Sequence, residues 1–135
     1  YAWGNALAPD GLMLANYWQG RFPVENTLQD GWARTSPVGA FPANPFGLHD
    51  MIGNVWEWTA DAWSLPSSAE TAPRGCCGGD RTSAERKVIK GGSHLCATNY
   101  CQRYRPAARH PQAIDAPTGH IGFRCAISAE ALSRR

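Results

Sequence analysis

Two cysteines five residues apart, Cys96 and Cys101, set the strongest constraint on how this chain can fold. On a helix, a separation of five turns the second side chain about 140° from the first; on a strand, an odd separation sends the two to opposite faces. Neither regular element lets the two sulfurs meet. If they act together, the chain from Cys96 to Cys101 is a loop or an irregular turn. Gly91-Gly92-Ser93 just upstream supplies nearby backbone freedom, because glycine reaches left-handed φ without steric cost. Loops on a rigid scaffold are where chemistry concentrates. The alternative reading is a structural disulfide, or two thiols buried independently.

The 135 residues make one domain or part of a larger one, and a hydrophobic content of 43% is enough for a core. Thirteen basic residues against eleven acidic ones leave a net charge of +2, which implies no polyanionic partner. The one local basic excess, Arg103, Arg105 and Arg109, is interrupted by aromatic and small residues. It reads as a pocket wall and not as a nucleic-acid footprint. No apolar run is long enough to span a bilayer, so no membrane partner is expected. The chain opens at Tyr1 without a methionine or a signal peptide, and is expected to be a processed or truncated product. Five cysteines, Cys76, Cys77, Cys96, Cys101 and Cys125, cannot all pair. In a secreted protein the odd thiol needs a partner elsewhere; in a cytoplasmic one, a close pair suggests metal or redox work.

Residues 1–45 carry aromatic, Gly, Asn and Pro residues without helical periodicity, and read as short extended pieces joined by turns. Free carbonyls near Asn16 and Asp30 make a hard-cation site conceivable, although Asn and Asp also cap turns by themselves. Asp50 to Gly53 reads as one helical turn ended by its glycine. From Val55 the pattern alternates, Trp56 and Trp58 facing one way and Val55 and Glu57 the other. Glu57 between two tryptophans is costly to bury unless paired or bound to a cation; a half-buried strand with Glu57 in water is the alternative. Residues 64–86 read as a long surface loop holding Cys76 and Cys77, residues 106–119 as a second loop. Lys87–Lys90 and Ile121–Ile127 read as strands, and Ala129–Arg135 as a polar tail.

Together these segments resemble the formylglycine-generating enzyme family, the sulfatase-modifying factors. The resemblance runs from Tyr1-Ala2-Trp3-Gly4-Asn5 and Asn16-Tyr17-Trp18-Gln19-Gly20 through Gly53-Asn54-Val55-Trp56-Glu57-Trp58 and Lys90-Gly91-Gly92-Ser93 to Gly122-Phe123-Arg124-Cys125. The Gly-Asn-Val-Trp-Glu-Trp and Gly-Phe-Arg elements mark a broad superfamily; the paired Cys96 and Cys101 directly after Gly91-Gly92-Ser93 narrow the choice. The resemblance implies an irregular, loop-rich α+β fold of modified C-type-lectin-like type, with little regular secondary structure. Residues 1–135 would be the C-terminal portion of one such domain, whose remaining N-terminal half becomes a partner.

The implied reaction converts a cysteine in a sulfatase Cys-x-Pro-x-Arg segment to Cα-formylglycine with O2. Cys96 and Cys101 would hold copper(I) as thiolates, which suits an ion that prefers soft sulfur and tolerates low coordination. Zinc would need further ligands, for which His94, His110 and His120 are available. Arg103 and Arg105 would favour the thiolate forms if turned inward. Ser93 and Tyr100 match positions lining an oxygen and substrate pocket, and Trp56 an aromatic wall beside the copper, where core packing is the alternative role. Two Ca2+ sites carry over: Asn16 and Asp30 with the carbonyls of Tyr17 and Trp32, and Asp50 and Glu57 with those of Gly53 and Val55. Three departures stand out. Pro106 replaces a structural cysteine of secretory relatives, which favours a bacterial cytoplasmic enzyme over one of a eukaryotic secretory pathway. Cys125 matches a cysteine whose partner would lie upstream of Tyr1, and His120 stands where an Asn helps hold substrate. The competing classes are a non-catalytic lectin-like binding module and an iron-dependent sulfoxide synthase, which needs a histidine facial set this chain does not visibly provide.

Overall fold

Gly, Pro and Asn recur too often here for helices to nucleate, so the chain folds by packing loops onto one small sheet. The computed structural model describes residues 1–64, 85–116 and 118–134. The Cys76-Cys77 loop therefore lies outside the described residues. Four strands form the sheet: β1 (Trp56–Ala62), β2 (Arg86–Lys90), β3 (His110–Ala113) and β4 (Ile121–Gly122). Their order is β3-β2-β1-β4; β1–β2 and β2–β3 are antiparallel and β1–β4 parallel. Apart from a 3-10 turn at Pro9–Gly11, the described helix is α1 (Ala129–Leu132). This is the irregular, loop-rich α+β fold the sequence implies.

The alternating Trp56-Glu57-Trp58 stretch forms β1, with Trp56 buried at its start. Four local readings need correction. Asp50 to Gly53 is a bend and not a helical turn, because Asp50 has φ +53°. The supposed 106–119 loop contains β3, whose Pro111 pairs with Val88. Proline is tolerated there because β3 is an edge strand, where a missing N–H breaks no ladder. The closing strand stops at Gly122, leaving Phe123 largely exposed, and the tail forms α1, capped by Ser128 Oγ accepting from Ala131 N at 3.2 Å.

The core gathers Ala15, Tyr17, Ile52, Trp56, Ile89, Cys96 and Tyr104. Tyr104 is fully buried, its ring 5.3 Å from that of Tyr17 and 6.0 Å from that of Tyr1. The turn before β1 holds this core against the cysteine segment: Gly53 N donates to Gly91 O at 2.9 Å and Asn54 N to Asn16 O at 2.7 Å. Gly53 has φ +74°, and a Cβ on it would overlap the Asn16 carbonyl. Gly53→Ala is accordingly predicted to cost about 3 kcal/mol, combining left-handed strain with a clash against backbone. Gly47→Ala, at φ +76° but in open space, should cost only about 1 kcal/mol. Urea midpoints compare the two, and equal losses would contradict this packing.

Candidate active site

The turn carrying the cysteines is built from a few backbone bonds. Cys96 N donates to Ser93 O at 2.9 Å, and Tyr100 N and Cys101 N both donate to Ala97 O, at 3.2 and 2.8 Å. Gly92 starts it at φ +73°, where a Cβ would sit 3.0 Å from the Tyr104 backbone. Trp18 N donates to Cys96 O at 3.0 Å and His94 N to Asn54 O at 2.9 Å, so two other segments clamp the turn. Cys96 Sγ and Cys101 Sγ come to 3.0 Å. Both cysteines are free, so the turn presents a dithiol.

A cleft of about 280 Å3 opens beside the pair and is lined by Cys96, Cys101, Ser93, Tyr100 and Trp56 together. All five candidate catalytic residues thus share one cavity. Trp56 and Ser93 are buried in its wall, whereas Tyr100 is 70% exposed and stacks on Phe22 at 4.5 Å and 17°, forming the rim. Arg103, His110 and His120 also line it. The described lining carries no carboxylate, and Arg103 is its one permanently charged side chain. Burial, then Arg103, lowers the pKa of His110; burial, then His94, lowers that of His120. Among the described residues, no three His, Cys, Asp or Glu side chains converge as a metal cage.

Burial and then the hydrogen bond with Cys101 push the Cys96 thiol up to about 12, against the opposing backbone and side-chain hydrogen bonds of Ser93. The expected help from arginines is therefore not what sets this group. Arg105 instead lies over the Tyr1 ring at 5.7 Å. Cys96 is a protonated thiol at neutral pH, and any metal held by it must displace that proton.

The first calcium set fits a cation on one observation: Asn16 Oδ1 is buried without a partner while Asn16 Nδ2 donates to Arg34 O at 2.7 Å. Nearby, the Gln19 amide donates to Tyr17 O and, at 2.9 Å, to Asp30 Oδ2. Asp30 Oδ1 accepts from Trp32 N at 2.9 Å. In the second set, Asp50 Oδ2 accepts from Gly39 N at 2.7 Å. Glu57 is paired with a guanidinium: Arg124 Nε donates to Glu57 Oε2 at 2.6 Å and Arg124 Nη2 to Oε1. Arg124 also reaches His49 O at 3.0 Å and Asp50 O at 3.1 Å. Calcium with Gly53 and Val55 carbonyls would have to share Glu57 with that guanidinium.

Three residues gain roles the sequence reading did not give them. Arg124 was legible as part of Gly-Phe-Arg, and a carboxylate between tryptophans called for a partner. Asn54 anchors four segments, and its φ of +58°, typical of Asn in turns, was the signal available. His110 lies against Trp56, tilted by 31° with 5.6 Å between centroids, because β3 brings it beside β1 through β2. No local pattern announces that contact.

A dithiol on an irregular turn, beside a carboxylate-free cleft on a small curled sheet, defines a thiol-centred site on a loop-built scaffold. The sulfatase-modifying factor enzyme 1-like domain matches residues 1–129, and the chain belongs to that family. It is 54% identical over 130 residues to the formylglycine-generating enzyme of Mycobacterium tuberculosis, covering 93% of this chain and 44% of that one. The mouse (Mus musculus) formylglycine-generating enzyme is 48% identical over 128 residues, covering 93% and 33%. The chain thus spans less than half the length of these relatives. The structure of PvdO from Pseudomonas aeruginosa superposes with a TM-score of 0.56 at 28% identity, over 83% of this chain and 39% of PvdO.

The raised thiol and phenol pKa values fix how stability depends on pH. Cys96 and Tyr17 are both pushed up to about 12 by burial first, and Tyr104 is raised too. The unfolded groups ionise near pH 9–10, so their contribution is intact below that and is lost as pH rises towards 12. Urea midpoints should fall from about pH 9 upward, each group adding at most about 1.4 kcal/mol per pH unit. Cys96→Ser should flatten the slope, and a flat wild-type profile would contradict the burial of these groups.

Proposed function

We propose that the chain forms the thiol-bearing part of an oxidase that activates sulfatases by converting a peptidyl cysteine in a Cys-x-Pro-x-Arg segment to Cα-formylglycine. The observation carrying this is the convergence of two free thiols, 3.0 Å apart, in a cleft that also holds Trp56, Ser93 and Tyr100. Membership of the family supports it.

Cys96 and Cys101 would hold Cu(I): a two-sulfur donor set matches its softness and low coordination number, and leaves room for a substrate thiol. Bound there, copper supplies the one-electron redox chemistry through which dioxygen is reduced. The chain's own residues do the rest. Cys96 gives up its proton on binding metal, and Ser93 hydrogen-bonds that sulfur, favouring the thiolate. Trp56 walls the cleft, and the Phe22–Tyr100 stack forms its rim. The balance is fixed by the product: converting CH2–SH to CHO with loss of sulfide releases two electrons. Reducing O2 to two waters takes four, so an external thiol reductant supplies the other two.

Calcium would brace the loops through Asn16, Tyr17, Asp30 and Trp32, with the buried Asn16 Oδ1 as an unpaired acceptor for it. The Asp50, Gly53, Val55 and Glu57 set would add a second ion beside Arg124. The rest of such a domain would pack on the apolar groove of about 520 Å3 that includes Phe46, Leu48, Met51 and Trp58, since relatives carry more than twice this length of chain. The cytoplasmic setting suggested by Pro106 belongs to the same proposal.

Incubation of full-length protein with a Cys-x-Pro-x-Arg peptide, Cu(I), reductant and air should give an aldehyde by mass spectrometry. Cys96→Ser and Cys101→Ser should each lose tight copper binding and turnover while keeping the wild-type circular dichroism spectrum. Unchanged copper affinity in both would refute the assignment, and equal turnover by residues 1–135 alone would refute a role for further chain. Calcium removal by EGTA should lower the thermal midpoint of the wild type by several degrees, and Asn16→Ala should abolish most of that shift. An EGTA-insensitive midpoint would dismiss the calcium reading.

A further inference from the structure

The roles above leave one pair in the cleft unexplained. Arg103 Nη1 lies 2.6 Å from His110 Nδ1. A guanidinium has only donors, so Nδ1 must accept, and the imidazole proton resides on Nε2. The ring is fixed in plane as well as in tautomer: it lies against the Trp56 indole at 31°, and its backbone is paired in β3 opposite Ile89. One nitrogen is occupied by Arg103 and one face by Trp56. What remains for the cleft His110 lines is Nε2–H, a hydrogen-bond donor and not a base. Burial and Arg103 both favour the neutral ring, in keeping with that tautomer.

The strand extends the argument. Residues two apart on a strand share a face, and Gln112 lines the same cleft as His110. Their repeat of about 6.7 Å equals that of alternate carbonyls in an extended peptide. Gln112 gives one amide hydrogen to Ala116 O and keeps another for a ligand. No carboxylate in the described lining competes as acceptor. A wall that offers donors at peptide spacing is suited to main-chain carbonyls.

We propose that His110 is a substrate-positioning residue, donating Nε2–H to a main-chain carbonyl of the polypeptide whose cysteine approaches Cys96 and Cys101. Arg103 holds it in the required tautomer, and the polypeptide lies extended beside β3. This assignment rests on the oxidase reading of the dithiol and gives it a recognition element.

The test uses full-length, copper-loaded protein and a Cys-x-Pro-x-Arg peptide, with a fluorescent Cys→Ser version of that peptide for binding by anisotropy. His110→Phe keeps the stack on Trp56 and loses both nitrogens. It should raise KM and the Ser-peptide Kd about tenfold, the ~1.4 kcal/mol of one hydrogen bond, with kcat within about twofold. His110→Gln, whose amide nitrogen falls near the Nε2 position, should stay within about threefold of wild type; His110→Asn, whose amide falls near Nδ1, should not. Unchanged KM and Kd in His110→Phe overturn the proposal, as does a loss confined to kcat. Should His110→Phe fail to fold, the Gln and Asn variants decide, and equal affinities overturn it. Wild type that binds the Ser peptide in a His110-dependent way yet forms no aldehyde would refute the oxidase reading while upholding this one. Wild type that binds no peptide refutes both.

Discussion

With so little regular structure, the fold depends on where buried backbone groups find partners, and many of them meet at Asn54. Its N–H donates to Asn16 O and its carbonyl accepts from His94 N, while its side chain clamps both the N–H and the carbonyl of Ser36, at 3.0 and 3.2 Å. The neighbouring Gly53 N–H is taken by Gly91 O. Four stretches far apart in sequence are thus fixed to one another without a helix or a long strand between them. The consequence reaches the cleft directly. The turn bearing Cys96 and Cys101 begins at one of these anchored stretches, and Trp56 lies two residues beyond Asn54. The dithiol and its aromatic wall are therefore held to the same point.

The cleft sets a buried, neutral thiol beside a second thiol and a wall of hydrogen-bond donors. A buried thiol beside another, with a pKa raised by burial, is a poor metal ligand until it loses its proton, and a good one afterwards. A metal held by this thiol would be coupled to proton release from Cys96 and weakened by acid. Arg103, His110 and His120 give the cavity a donor-rich lining, and no carboxylate is among its described residues.

The parts of this arrangement that were legible in the sequence are those carried by covalent spacing. A sequence separation of five kept the two cysteines from converging on a helix or a strand, so that acting together required a bend, and the bend is what brings the sulfurs together. The Trp56-Glu57-Trp58 alternation announced β1 for the same reason. Contacts made across the sheet were not legible. Pro111 disguised β3, because a proline argues against a strand unless that strand lies at an edge, and edge position is a property of the whole sheet. With β3 hidden, nothing could place His110 on Trp56. Likewise, Glu57 was recognised as needing a partner or a cation, but its pairing with Arg124 depends on a chain crossing 67 residues away. The Arg105 side chain, read as part of the thiol environment, is instead exposed and lies over the Tyr1 ring.

Copper K-edge absorption of the Cu(I)-loaded, full-length protein tests the central claim most directly, because it counts the neighbours of the metal atom by atom type. The account predicts a first shell of sulfur only, two scatterers in the absence of peptide and a third when a Cys-x-Pro-x-Arg peptide is added. A shell dominated by nitrogen or oxygen, or a spectrum indifferent to the peptide, would contradict it.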